Sequence, residues 1–322
     1  MPFWENKHIL LTGGAGFIGS HILDFLMDKG ASVIVVDNLS SSTTKYLEPY
    51  YNNGNFKFVK GDILDFTLID SLLSKDIDLV IHMAADPDVK ESVSNPYHSF
   101  EINVRGTLNI LEAMRKNDVS SIVFASSGGT LYGEVDRFPI SEDSTLRPIS
   151  PYGASKAACE VYLSAYSGAY GFKSVSLRYA NIFGPRSNHG VMYDFFFKLK
   201  NNKSELEILG NGLQRKSYLY ISDTVEASML VIEHMSNGYD MYNIGSEEWI
   251  TVNDIAKIIV DELGLSSVRF KYTGGVRGWP GDVSKILLDI TKLKNLGWKQ
   301  KVTTEEGIRK YIRWLMKEYG WP

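Results

Sequence analysis

Eight residues constrain this chain more than any others: Thr12-Gly13-Gly14-Ala15-Gly16-Phe17-Ile18-Gly19. They stand between a β-branched and leucine-rich run, His8–Leu11, and an amphipathic stretch, Phe17–Lys29. In that stretch Phe17, Ile18, Ile22, Phe25 and Leu26 recur at a helical period. A glycine in such a turn allows positive φ and lets a ligand approach the backbone. The helix that follows offers unpaired N–H groups and a partial positive charge, which suits a pyrophosphate. An acid follows as this reading requires: Asp37 ends the next strand, Ser32–Val36, 18 residues after Gly19. A carboxylate there accepts adenosine ribose hydroxyls and repels a 2′-phosphate, so NAD is expected rather than NADP. Asn38, Leu39 and Ser40 follow it and allow a turn cap at the same place.

The pattern continues with strands at Phe56–Val59, Asp78–His82, Ser121–Ala125 and Lys173–Arg178. Helices are expected at Phe66–Leu73, Tyr97–Lys116 and Tyr152–Tyr170, the second started by Ser94-Asn95-Pro96 and the third closed by Gly171. This alternation predicts an α/β fold with a doubly wound parallel sheet, the Rossmann type. The rhythm changes after Gly184. Glycine turns (Gly210-Asn211-Gly212, Gly274-Gly275) and helices at Asp223–Met235, Val252–Leu263 and Thr304–Lys317 predict a smaller α/β substrate-binding part. The expected division is 1–184 and 185–322, the second interleaved with the first.

Composition excludes several classes. Lys and Arg total 34 against 38 Asp and Glu, so the net charge of −4 gives no footing for nucleic acid. A single cysteine, Cys159, makes neither an internal disulfide nor a thiolate metal site. The six histidines have no ligand spacing, so no metal is expected. No apolar run is long enough for a membrane span, and no leader pattern is visible. A cytoplasmic location is the expectation.

A second constellation carries chemistry. Tyr152 and Lys156 stand four apart at the start of a long helix and share one face. An ammonium beside a phenol favours phenolate, which a base near neutral pH needs. Upstream, Ser126-Ser127-Gly128-Gly129-Thr130 closes the fifth strand, where the ligand crevice of an open sheet lies.

Together these residues resemble the extended short-chain dehydrogenase/reductases, in the nucleotide-sugar epimerase branch, over nearly the whole chain. The resemblance implies a catalytic set of Ser127, Tyr152 and Lys156. It implies NAD contacts at Gly13, Gly16, Phe17, Ile18, Gly19, Asp37, Asn38, Leu39, Ser40, Asp62, Ile63, Met83, Ala84, Ala85, Asn103, Tyr152, Lys156 and Tyr179, the last flanking the nicotinamide. It implies substrate contacts at Ser127, Thr130, Asn181, Lys216, Tyr218, Arg277 and Asp282, a UDP-sugar substrate, and a homodimer formed by the two long helices. The activity implied is 4-epimerisation, as in the interconversion of UDP-glucose and UDP-galactose.

Three departures stand out. Counting from Phe124 or back from Tyr152 puts the hydroxyl at Ser127; counting from Tyr132-Gly133 gives Gly128, with Thr130 a secondary contact. A lysine, Lys216, replaces the diphosphate arginine and loses the bidentate fork. The spacing from Arg277 to Asp282 is also unusual. Four other readings remain: a UDP-glucuronate or UDP-N-acetylhexosamine 4-epimerase, a 4,6-dehydratase, a decarboxylating relative, and an NAD-binding sensor. The dehydratase reading lacks the Asp-Glu pair that follows the hydroxyl in such relatives, because Gly128 and Gly129 occupy the place. The region of Asp86, Asp88, Ser127 and His189–Tyr193 is the expected determinant of sugar choice.

Overall fold

A computed structural model describes residues 3–74, 76–279 and 281–321. Pro280, within the Arg277–Asp282 segment, lies outside the described residues. The first part runs β1 (His8–Thr12), α1 (Phe17–Asp28), β2 (Ser32–Asp37), β3 (Phe56–Lys60), α2 (Phe66–Leu72) and β4 (Leu79–His82). It continues with α3 (Val89–Ser94), α4 (Pro96–Ser99), a π-helical turn (Phe100–Arg105), α5 (Gly106–Lys116), β5 (Ser121–Ser127), α6 (Pro151–Tyr170) and β6 (Lys173–Tyr179). Then follow β7 (Asn181–Phe183), α7 (Val191–Asn201), β8 (Glu205–Ile208), β9 (Arg215–Lys216), β10 (Tyr218–Tyr220), α8 (Ile221–Glu233) and β11 (Gly238–Ile244). The last elements are β12 (Ile250–Thr251), α9 (Val252–Glu262), β13 (Arg269–Tyr272), β14 (Lys285–Ile286), α10 (Thr291–Asn295) and α11 (Thr304–Tyr319).

Seven strands form one parallel sheet in the order β11-β6-β5-β4-β1-β2-β3. Alternation along β1 sends Ile9 and Leu11 into one core and Leu10 into the other, as a sheet covered on both faces requires. Chain order reverses at β1, between β2 and β4, which opens the crevice where such sheets bind ligands. Position 184 divides the sequence but not the sheet. β11 pairs with β6 from Gly238 opposite Lys173 to Ile244 opposite Tyr179, and α8 packs on α1. A third core, of Phe195, Phe196, Leu206, Ile208, Ile255, Ile259, Ile308, Tyr311 and Ile312, holds α7, α9 and α11 together.

The single helix expected over Tyr97–Lys116 is instead α4, the π turn and α5, preceded by α3. Asn95 caps α4 by accepting from the His98 N–H (3.3 Å), and Pro96 occupies its first turn. In this wide turn the Asn103 carbonyl accepts from the Gly106 N–H and also from Thr107 Oγ1 (2.5 Å) and Cys159 Sγ (3.1 Å).

Candidate active site

The glycine loop is built backbone against backbone. Gly13 sits at φ +69°, and a Cβ there would lie 2.6 Å from the Ala84 nitrogen. A Cβ on Gly19 would lie 2.1 Å from the Gly13 carbonyl oxygen. The Gly13 N–H donates to the Val36 carbonyl (2.9 Å), and the Met83 N–H to the Thr12 carbonyl (3.1 Å). β1, β2 and the Met83-Ala84-Ala85 end of β4 are thereby locked into one surface. Gly16 caps α1 and brings no side chain to its first turn. The first-turn N–H groups, through Phe17, Ile18 and Gly19, are therefore left for an anion. This cradle, in which the close approach of Gly13 to Ala84 leaves no room for a side chain, fits the pyrophosphate of a dinucleotide.

Asp37 is buried and knits this loop. Its Oδ2 accepts from the Ala15 N–H (3.0 Å); its Oδ1 accepts from the Leu39 N–H (2.8 Å) and Ser42 Oγ (3.0 Å). A carboxylate offers about four acceptor sites, so room remains for one ribose hydroxyl, and a second requires Ser42 to yield. Asn38 Nδ2 donates to Asp62 Oδ2 (2.8 Å), while its Oδ1 accepts from the Ser40 N–H (2.9 Å). Ile63 is buried against Gly106, and its carbonyl accepts from Asn109 Nδ2 (3.0 Å). The two turns expected around the adenosine are thus joined.

Ser150 and Pro151 start α6 as an N-cap and a first-turn proline, Ser150 Oγ accepting from the Gly153 N–H (3.1 Å). That start places Tyr152 against Ser127, at the end of β5, and Thr130 Oγ1 donates to Ser127 Oγ (2.9 Å). Tyr152 and Thr130 thus flank Ser127. Lys156 is buried; its Nζ donates to the Ala125 carbonyl (2.8 Å) and lies 5.9 Å from the Tyr152 ring centroid. The phenol-lowering effect expected of Lys156 does not prevail. Burial pushes Tyr152 up to about 12, against the downward pull of Ser127, and brings Lys156 down to about 8. Spacing gives the face; burial, which spacing does not show, sets the charge.

Asn103 fastens this end. Its Nδ2 donates to Ser155 Oγ (2.9 Å) and Ser99 Oγ (3.2 Å), and its Oδ1 accepts from the Asp86 N–H (2.9 Å). His82 is enclosed by Thr12 (2.7 Å) and Thr107 (3.0 Å), and burial pushes its imidazole down to about 3, so it is a neutral structural group. Tyr179 is directed into the core, its hydroxyl 2.9 Å from Ser228 Oγ on α8.

The small sheets gather the remaining residues. Asn181 Nδ2 donates to the Ser217 carbonyl (3.1 Å), between Lys216 and the buried Tyr218. Lys216 Nζ donates to Asp282 Oδ1 (2.5 Å), whose Oδ2 accepts from the Gly278 N–H (3.1 Å). Arg277 pairs with Glu134 (3.2 Å) and is half exposed.

One group escaped the sequence reading. Buried Arg178 forks onto Glu160 (2.6 Å), which accepts from Ser126 Oγ (2.5 Å) and Tyr239 Oη (3.1 Å), while Arg178 Nη1 donates to Tyr132 Oη (2.9 Å). Burial works against the guanidinium charge, but Glu160 and Tyr132 hold it above its usual range. The signal was the polar alternation Ser174, Ser176, Arg178 along β6.

A family model described as GDP-mannose 4,6 dehydratase matches residues 10–311. A UDP-glucose 4-epimerase of Mycolicibacterium smegmatis is 33% identical over 95% of this chain and 97% of that protein. The crystal structure of a UDP-glucose 4-epimerase with UDP-glucose from Thermotoga maritima is 37% identical, with TM-score 0.88 over 97% of this chain and 100% of that one. A dTDP-glucose 4,6-dehydratase from Streptomyces venezuelae with NAD bound is 30% identical, with TM-score 0.89 over 98% of each chain. The chain therefore belongs to the nucleotide-sugar epimerase and dehydratase family within the extended short-chain dehydrogenase/reductases. Its members are enzymes, and backbone similarity does not separate the two chemistries.

Proposed function

We propose that the chain is an NAD-dependent 4-epimerase that interconverts UDP-glucose and UDP-galactose. NAD held at the glycine loop supplies a hydride acceptor and donor for the sugar C4. Tyr152 takes the C4 hydroxyl proton and returns it when the 4-keto sugar is reduced on its other face. Ser127 holds that hydroxyl against the phenol, and Thr130 orients Ser127. Lys156 supplies the positive charge that favours phenolate, and binds the ribose beside it. Asn181, Lys216, Arg277 and Asp282 hold the nucleoside diphosphate while the sugar turns, so remote binding serves the chemistry.

One observation favours epimerase over 4,6-dehydratase. Dehydration also moves protons at C5 and C6, and the residues directly after Ser127 carry no side chain. A Cβ on Gly128 would lie 2.5 Å from Leu288 Cδ1 and 2.9 Å from the Arg178 carbonyl oxygen, so packing excludes an acid there. Incubation with UDP-glucose tests the reading. UDP-galactose is the expected product; a 4-keto-6-deoxy sugar overturns it. Tyr152→Phe is expected to lower kcat about 10²–10⁴-fold with NAD retained, and near-normal turnover would sink the assignment.

The second copy belongs, in this reading, on α4 and α6. Val104 and Leu111 are buried on the sheet side, whereas Tyr97 is 81% exposed and Phe100 and, on α6, Val161 are exposed as well. Sedimentation of the wild type and of Tyr97→Glu checks this; a wild-type monomer rejects it.

A further inference from the structure

Asp86 is a buried charge that the mechanism above leaves unused. It follows β4 by a few residues and is 9% exposed. Asn103 grips its backbone from both sides, accepting from the Asp86 N–H (2.9 Å) and donating to the Asp86 carbonyl (3.2 Å). The same amide donates to Ser155, the neighbour of Lys156, so the Asp86 loop is fixed to α6. Its Oδ1 receives one long bond, from the Asp88 N–H (3.3 Å). Its Oδ2 is buried and has no partner among the described residues. A buried carboxylate oxygen without a donor is costly and calls for a functional account.

The groups that face it define the local field. Tyr152 and Lys156 on α6 both feel the Asp86 charge, which pushes each of them upward. Cys159 and Glu160, further along α6, act on Lys156 as well. Glu160 is already neutralised by Arg178 (2.6 Å). His82 is neutral, and His189, near Asp88, stands exposed in the loop before α7. With Arg178 spent on Glu160, Lys156 is the remaining cation among these groups. When Tyr152 ionises, as the epimerase reading requires, the phenolate cancels Lys156 and the charge left at the reacting end is that of Asp86.

We propose that Asp86 is a specificity residue that admits neutral UDP-sugars and excludes those carrying a carboxylate, the hexuronates. The proposal rests on the epimerase reading and narrows it. Repulsion between carboxylates does not require contact, because Coulomb energy falls only as the inverse of distance in a site of lowered dielectric. Neutral hexoses and N-acetylhexosamines suffer none of it.

The test compares the NAD-loaded enzyme on UDP-glucose and UDP-glucuronate. Wild type is expected to favour UDP-glucose in kcat/KM by at least about 30-fold, and Asp86→Asn to shrink that ratio about 10-fold, the range of one unit charge at such a site. The gain should fall on UDP-glucuronate, while Asp86→Glu keeps the discrimination. A second readout separates charge from structure. Asp86→Asn should move the alkaline rise of kcat/KM to lower pH, because the lost charge had opposed phenol ionisation. Equal wild-type use of the two sugars, or an unchanged ratio and pH profile in Asp86→Asn, overturns the proposal. Calorimetric binding of the two sugars to the wild type decides it independently if the variant does not fold. Binding that favours UDP-glucose without any epimerisation sinks the epimerase reading and leaves the Asp86 assignment standing.

Discussion

The two ends of the crevice are built by different means. The dinucleotide end is backbone on backbone: Gly13 against Ala84, Gly19 against Gly13, Met83 bonded to Thr12. The end proposed for the substrate diphosphate is made of long side chains already paired, Lys216 with Asp282 and Arg277 with Glu134. The first end is complete before a ligand arrives. At the second, an incoming diphosphate meets an ammonium that already gives one of its three donors to Asp282 and shares its charge with that carboxylate. Preorganisation lowers the free-energy cost of binding, whereas a pre-formed ion pair raises it.

Substitutions at each end can break this contrast. The largest effect is expected at Gly19→Ala. Its Cβ would fall 2.1 Å from a backbone oxygen, with nothing flexible to move aside. NAD affinity should drop on the order of 100-fold or more, as for other steric insertions at tight backbone sites; unchanged affinity by fluorescence titration would show that the cradle is loose. Lys216→Ala comes next. Loss of one charge-assisted bond should raise KM for the UDP-sugar about 10-fold, with kcat nearly unchanged. An equal fall in kcat would move Lys216 to the reacting end. Arg277→Ala is smaller, about threefold or less in KM, because its guanidinium is 47% exposed and screened.

A stability slope checks the scaffold beneath both ends rather than either end itself. His82 has its folded-state pKa lowered from 6.5 to about 3. The unfolded chain therefore takes up a proton below pH 6.5 that the folded chain refuses. The stability conferred by neutral His82 is full above pH 6.5 and is lost as pH falls towards 3, by about 1.4 kcal/mol per unit at most. Denaturant melts of His82→Gln at pH 6 and pH 4 should show a shallower loss than wild type. Equal slopes would mean that the imidazole titrates normally.

The same contrast explains what the sequence could reveal. Gly13 and Gly19 are required by local backbone geometry and Gly16 sits tightly beside the Gly13 carbonyl, so their spacing was legible, as were the alternating strands and Asp37 at the end of β2. The Lys216–Asp282 pair joins segments 66 residues apart and was readable only by resemblance. Burial is likewise absent from a spacing: Tyr152 and Lys156 were found, but not the direction in which the interior shifts them. The single helix expected over Tyr97–Lys116 is interrupted by the π turn, where Cys159, on another helix, donates to the Asn103 carbonyl, a contact that no spacing within 97–116 shows. β11 was missed because Tyr239, Asp240 and Asn243 break its apolar run; Asn243 is buried and donates to the carbonyls of Ile140 (2.9 Å) and Asp289 (3.1 Å).

The π turn has one more consequence. A π turn holds one more residue than an ordinary helical turn, and each residue rotates a helix by about 100°. Deleting a single residue upstream of Asn103, between Phe100 and Ile102, would let the segment relax into a regular helix and swing the elements before it around the axis of α5. Asn103 could then no longer reach Asp86 and Ser155 together. The inserted residue acts as a clocking pin, setting the angle at which the loop after β4 meets the helix that carries Tyr152.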